Sequence, residues 1–302
     1  MADRGMADWG MADWDVVVVG GGAAGLAAAA ACAEAGRRCL LIDRMGGGGE
    51  LMNLATTLHG LPEETTGPDL AATLLDRALA AGVELAIDEV TALAPAGACW
   101  RITTAEDGHG APAVILAVGL APGRLGVAGE EGFEGQGLSH CAACDGPLYR
   151  GGDVVVAGAD RWAVQEALDL LPIAATVTLV TQRDTAVAAP GVTVIAGRVT
   201  GLEGDAGLDA VLVQPAGGAA LRLPARAIFV QDGRRPPLRF APDWLARDAA
   251  GRLVTDASLR CGAPGLYAVG EARAGFPSHL AAAAEDGRRV AAALAPLGKR
   301  PD

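Results

Sequence analysis

The chain has 302 residues, 51% of them hydrophobic and 20% charged, with a net charge of −12 at neutral pH. That length holds two domains with full cores, and the acidic balance excludes nucleic acid and anionic membrane surfaces as partners, because like charge repels a polyphosphate at long range. Forty-three glycines beside four phenylalanines predict many tight turns and a core of Ala, Val and Leu, as in layered α/β proteins.

At the N-terminus, "MADRGMADWGMADWD" repeats a five-residue unit without packing periodicity. Residues 1–14 are therefore expected to be a disordered extension, or to reflect competing start codons at Met1, Met6 and Met11. No secretory leader with a cleavage site is recognisable, and apolar runs such as Leu26 to Cys32 meet charge well before the ~20 residues of a membrane span. A cytoplasmic protein is expected.

"DVVVVGGGAAGLAAAAACAEAGRRCLLIDR", Asp15 to Arg44, reads as a buried strand, a glycine turn, a helix and a second strand. In that setting Gly20 permits the tight turn, Gly22 lets a pyrophosphate approach the backbone, and Gly25 lets helix and strand pack closely. The helix N-terminus faces the phosphates. Asp43 ends the second strand, where a carboxylate accepts hydrogen bonds from a ribose and favours an unphosphorylated adenosine, as in FAD or NAD. This unit alone does not choose between the two. Cys32 and Cys39 read as small buried hydrophobes.

"SHCAACDGPLYRG", Ser139 to Gly151, places Cys141 and Cys144 one helical turn apart, a spacing at which a disulfide opens and closes without backbone rearrangement. In a cytosolic chain the unit means redox or metal chemistry rather than a structural framework. Zinc needs two further ligands and His140 is the only adjacent candidate, so no metal site is expected. A free thiol has a pKa of about 8.5, so catalysis needs a helix terminus, a cation or a base to hold a thiolate. Asp145 is placed to act as general acid and base.

"VVVAGADRWAVQEAL", Val154 to Leu168, begins as a second nucleotide-binding strand and turn, but Asp160 stands where a second glycine should follow Gly158. A carboxylate there repels phosphate: at roughly 4 Å two unit charges oppose each other by about 1 kcal/mol even in water. Near the C-terminus, "GLYAVGEA" is a short apolar strand ending in Gly270 and Glu271, and an Ala-rich helix follows from about His279. Together they can return a carboxylate and a helix N-terminus to the first cofactor, extending the site for something as long as FAD.

These stretches resemble the low-molecular-weight bacterial type of thioredoxin reductase over about Asp15 to Leu294. "GGGAAGLAAA" is similar to that family's first FAD loop, and "HGLPEETTGPDL", His59 to Leu70, to the segment running past the flavin. The stretch "AVILAVGLAPGRLGVAGEEGFEGQGLSHCAACDG" is similar to the crossover between its domains, and "GLYAVGEA" to its last FAD strand. "CAACDG" is the most specific of these. The resemblance implies two doubly wound α/β domains, with the FAD domain at 15–121 and 242–302 and an NADPH-domain-like insert at 122–241. It also implies FAD as cofactor, Gly119 beside it, Cys144 as the thiol nearer the flavin, Cys141 as the one attacking substrate, Asp145 as the acid, and a homodimer.

Departures from the family pattern cluster at the second nucleotide site. Its G-x-G-x-x-A runs Gly158, Ala159, Asp160, Arg161, Trp162, Ala163 here, and its His-Arg-Arg-x-x-x-Arg grip on the 2′-phosphate is reduced to Arg183 among Thr181, Gln182 and Val187. Each lost charge-assisted contact is worth roughly 1.5–3 kcal/mol, so NADPH is not expected to bind productively. Glu271 replaces the family's aspartate, and "FPSHLAAAA" replaces an Arg-Gln-Ala run, so His279 either faces the isoalloxazine as a proton shuttle or simply starts a helix.

The favoured function is a dithiol oxidase, in which a dithiol substrate reduces Cys141–Cys144 and electrons pass through FAD to O2, although such relatives usually carry histidine where this chain has Asp145. The alternatives are an NADPH-dependent disulfide reductase, a reductase fed by ferredoxin or a flavoprotein at a basic patch of Arg234, Arg235 and Arg239, and a non-enzymatic flavoprotein. The partner is a small-molecule dithiol or disulfide, or a thioredoxin-like protein.

Overall fold

Four consecutive valines, Val16–Val19, make β1, and every one is buried. β-Branched side chains suit a pleated strand hidden on both faces, the setting of a parallel sheet. The computed structural model describes residues 12–54, 65–159, 161–182, 190–277 and 279–294, without the side chains of 161 and 162. It divides into two compact units, Met1–Leu120 with Pro236–Asp302, and Ala121–Arg235 inserted between them.

From β1 the chain turns into α1 (Ala23–Glu34) and returns through β2 (Cys39–Ile42), parallel to β1 with Val16 opposite Cys39. Next comes α2 (Gly67–Ala80), where the Thr66 hydroxyl caps the first turn by accepting from the Asp69 N–H. Beyond β3 (Glu84–Ala86), the strands β4 (Val90–Ala96), β5 (Cys99–Thr104) and β6 (Gly108–Ala111) form a separate antiparallel sheet before β7 (Val114–Leu116) rejoins β1.

The inserted unit runs β8 (Leu138–Ser139), α3 (Ala142–Asp145), β9 (Asp153–Ala157), α4 (Arg161–Leu170), β10 (Thr176–Thr181) and β11 (Val192–Glu203). It closes with β12 (Ala210–Pro215), β13 (Leu221–Pro224) and β14 (Ala227–Val230), in the sheet order β13-β12-β11-β10-β9-β14-β8. β9 pairs in parallel with β10 on one side and β14 on the other, so the strand order reverses between β9 and β14. In open α/β sheets ligands bind at the carboxyl ends of the strands at such a switch point.

The chain then returns to the first unit with β15 (Leu266–Ala268) and α5 (Leu280–Ala293), completing the parallel sheet β15-β7-β1-β2-β3. The Ala-rich α1 buries Leu26, Ala28, Ala29 and Cys32. α5 approaches it so closely that a Cβ on Gly287 would lie 2.6 Å from the Ala28 nitrogen. Small residues on both helices are what allow that approach.

Two boundaries differ from the sequence expectation. Asp13 and Trp14, expected in the extension, are held to β6: Trp14 N–H donates to the Gly110 carbonyl (3.2 Å), Gly110 N–H donates to the Asp13 carboxylate (3.1 Å), and Trp14 packs on the core. At the return crossing, Pro236–Ala241 belong to the first unit, six residues ahead of the expected 242, because Leu238 and Ala241 are buried in its core and Leu93 N–H donates to the Phe240 carbonyl. No helix among the described residues is long and apolar enough to cross a membrane.

Candidate active site

The first glycine turn separates glycines that the fold requires from one that it does not. Gly20 has φ +100°, and a Cβ there would lie 2.6 Å from the Ala117 carbonyl oxygen; a Cβ on Gly25 would run into the Gly20 oxygen. Gly22 is different. It caps α1 at φ −72°, which any residue adopts, and a Cβ there would meet no protein atom within 4 Å. The first turn of α1 holds no acidic residue, and no side chain caps it. Open space over uncapped helix amides is what a pyrophosphate occupies, so the turn fits FAD. Asp43 shapes this cradle: Oδ2 accepts from Gly21 N–H (2.7 Å), and Oδ1 from the Met45 (2.8 Å) and Gly47 (3.0 Å) amides.

At the other end of the sheet, Gly270 follows β15 with φ +64° and donates its N–H to Asp286 Oδ2 (3.0 Å). Asp286 lies on α5, is 1% exposed, and also grips Arg273 through Nε (2.6 Å) and Nη2 (2.9 Å). This buried carboxylate, absent from the sequence reading, is what fixes the Gly270 turn. Glu271 sits half-buried in the short 3-10 turn Gly270–Ala272, and Gly119 has φ +57° with open space around it. His279 is the N-cap of α5: it is exposed, and its Nδ1 accepts from Ala282 N–H (3.1 Å). Only Nε2 remains for any other partner.

In the inserted unit Cys141 and Cys144 are joined as a disulfide with Cα atoms 5.4 Å apart. Cys141 ends the approach from β8 in extended backbone and caps α3, its sulfur accepting from Cys144 N–H (3.1 Å). Cys141 is 8% exposed, whereas Cys144 is exposed. Asp145 is held by the buried Ser139, whose hydroxyl donates to Asp145 Oδ2 (2.7 Å) and accepts from Cys141 N–H (3.2 Å). One hydroxyl thus ties the acid to the first cysteine. On the flank, His140 lies between the Val230 carbonyl and Glu134, and the buried Gln231 donates to the His140 carbonyl (2.8 Å). The other thiols differ: burial pushes both Cys32 and Cys261 up to about 12, and Cys39 higher than its ordinary value.

The residues 14–287 match the family described as pyridine nucleotide-disulphide oxidoreductase. The thioredoxin reductase of Treponema pallidum is 33% identical over 93% of this chain and 96% of its own length, and that of Listeria monocytogenes 30% identical over 90% of each. This chain belongs to that family. It is a flavin-dependent disulfide oxidoreductase of the low-molecular-weight thioredoxin reductase type. Among solved structures, Lactococcus lactis thioredoxin reductase superposes with a TM-score of 0.86 at 29% identity, covering 93% of this chain and 97% of that one. The match confirms two dinucleotide-binding-type domains, and membership implies FAD.

The thioredoxin reductase-like framework also frames the second nucleotide crevice. Asp160, Arg183, Val187 and residues 59–64 of the His59–Leu70 stretch lie outside the described residues, as does the Trp162 side chain. Gly158 is buried, and a Cβ there would lie 2.6 Å from the Ala163 Cβ. A cavity of about 410 Å³ opens at the carboxyl ends of β9 and β10, lined by Ala157, Val180, Gln182, Arg198, Thr200 and Asp232. Asp232, just past β14, accepts from Gln182 Nε2 at 3.2 Å. Its carboxylate therefore stands at the switch point, a feature the sequence reading missed because Gln182 is 50 residues away. The basic run at Arg234 is not a uniformly solvated patch, since Arg234 Nε and Nη1 are buried.

Proposed function

We propose that this chain is a dithiol oxidase: a dithiol substrate and O2 are converted to the substrate disulfide and hydrogen peroxide. The observation that carries the choice is charge at the second nucleotide crevice. Asp232 stands just past β14 at the switch point, and in the sequence Asp160 takes the place of the second glycine of the nucleotide-binding pattern. A dinucleotide at the switch point would meet the Asp232 carboxylate, which opposes a phosphate by about 1 kcal/mol at roughly 4 Å even in water, with Arg198 as the cation lining the same cavity. Beyond Arg183, the 2′-phosphate grip of the family is missing from the sequence. These features weigh against NADPH as the electron donor.

In this reading a substrate thiolate attacks the Cys141–Cys144 disulfide, and the second substrate thiol resolves the mixed disulfide, leaving both cysteines reduced. Cys144 is the exposed residue of the pair in this state, and Cys141 is the buried one. Asp145, oriented by Ser139, takes and returns the thiol proton. FAD would be held by Gly20, Gly22, Gly25 and Asp43 with Gly119, Gly270 and Glu271, and would supply the two-electron carrier between the dithiol and O2. His279 offers Nε2 as a proton-exchange group at the start of α5. The substrate is a small-molecule dithiol or a thioredoxin-like protein, and the enzyme is a cytoplasmic homodimer with the FAD domain flanking the insert.

A second reading is an NADPH-dependent thioredoxin reductase, favoured by the names of the Treponema and Listeria relatives. Anaerobic titration of the flavin band separates the two. We expect dithiothreitol to bleach the band, and air to restore it with release of peroxide, while micromolar NADPH and NADH leave it intact. Rapid bleaching by NADPH would establish the second reading instead; bleaching by neither would point to a ferredoxin or flavoprotein donor.

A further inference from the structure

Glu166 lies on α4, the helix that leaves the second nucleotide loop, and its half-buried carboxylate accepts a hydrogen bond from Ala142 N–H. That amide opens the short turn holding both cysteines. Amides and positive charge beside a cysteine stabilise its thiolate, and negative charge opposes it. Here an amide next to Cys141 is engaged by a carboxylate, while Cys144 N–H reaches the Cys141 sulfur.

The other titratable groups packed around the turn have different partners. Asp145 is bonded to Ser139, His140 faces Glu134 and the Val230 carbonyl, and Asp169 on α4 is bonded to Gln165. Glu166 bonds directly to a backbone amide of the cysteine turn.

We propose that Glu166 is a positioning residue of the redox pair, which disfavours the Cys141 thiolate and thereby makes the dithiol a stronger electron donor. When a substrate dithiol is oxidised, two electrons and two protons reduce the Cys141–Cys144 bond to two thiols. The carboxylate raises the free energy of any thiolate form of that product, so the pair gives its electrons up more readily. This inference rests on the thiol–disulfide reading of the pair.

The test uses the flavin-loaded, full-length protein, equilibrated with reduced and oxidised glutathione, and in parallel a Cys144→Ser background in which iodoacetamide alkylation of Cys141 is followed against pH by peptide mapping. Glu166→Gln keeps an acceptor for Ala142 N–H and removes the charge. We expect it to lower the Cys141 pKa by about one unit and speed alkylation at neutral pH about tenfold. Above that pKa the glutathione equilibrium should shift about tenfold toward the dithiol, or about 30 mV for a two-electron couple. Glu166→Asp keeps the charge and should stay near wild type. Unchanged pKa and equilibrium in Glu166→Gln would overturn the proposal, as would an equal shift in Glu166→Asp. If Glu166→Gln does not fold, Glu166→Asp is compared with Glu166→Ser, and equal pKa values in those two would overturn it as well. Wild-type protein that never exchanges with glutathione would instead overturn the thiol–disulfide reading itself.

Discussion

Gly22 and Gly20 stand two residues apart in one turn and answer to different forces. Gly20 is demanded by the protein: at φ +100° any side chain is strained by about 1–3 kcal/mol, and a Cβ would also press on the Ala117 carbonyl. At Gly22 the backbone is ordinary and the space is empty, so the protein itself does not require the absence of a Cβ. Gly22→Val is therefore expected to yield a protein that purifies without flavin yet unfolds in urea like the wild-type apoprotein. Gly20→Ala should lower the unfolding midpoint of the apoprotein itself. Equal destabilisation of both apoproteins would mean that Gly22 serves the fold rather than FAD. The sequence pattern marks both glycines alike, and only the surrounding atoms tell them apart.

Strands and helices bring together partners that spacing does not reveal. Asp286 on α5 holds the Gly270 turn and Arg273 at once, with side-chain exposures of 2% and 12% for the ion pair. Removing one member of a buried pair leaves the other charge uncompensated, at a cost of about 3–5 kcal/mol. Asp286→Ala should therefore lose stability of that order in urea denaturation, together with flavin affinity, since Gly270 N–H loses its acceptor. A loss below about 1 kcal/mol would place the ion pair among contacts that water replaces. The Ala-rich pattern at Leu280–Ala293 makes this helix legible from sequence, but nothing local signals that Asp286 points inward and not to solvent.

Across the whole molecule, buried thiols tie stability to alkaline pH. Cys32 and Cys261 ionise near 9 when unfolded and at about 12 when folded, both raised chiefly by burial. Below pH 9 both states are protonated and the fold keeps its full stability. As pH rises from 9 to 12 the unfolded chain ionises first, so each thiol removes about 1.4 kcal/mol of stability per pH unit. Comparing Cys32→Ala with wild type should show lower stability at neutral pH from the lost packing of the thiol group, but a shallower decline above pH 9. Parallel declines in the two proteins would sink the assignment.

The sequence by itself determined the layered α/β class, the β1–α1–β2 cofactor turn and the Cys-x-x-Cys pair, because each depends on backbone conformation and side-chain size within a few consecutive residues. It also carried the departure at Asp160, which needs no partner to be read. Only the tertiary structure decided that His279 caps a helix, that Ser139 orients Asp145, that Glu166 reaches the cysteine turn, and that Asp232 meets Gln182 at the switch point. Two of these, Glu166 with Ala142 and Asp232 with Gln182, depend on partners tens of residues apart. They exist only once β9, β14 and the helices between them are packed, because hydrogen bonds act over about 3 Å while the chain that joins the partners specifies only its own local geometry.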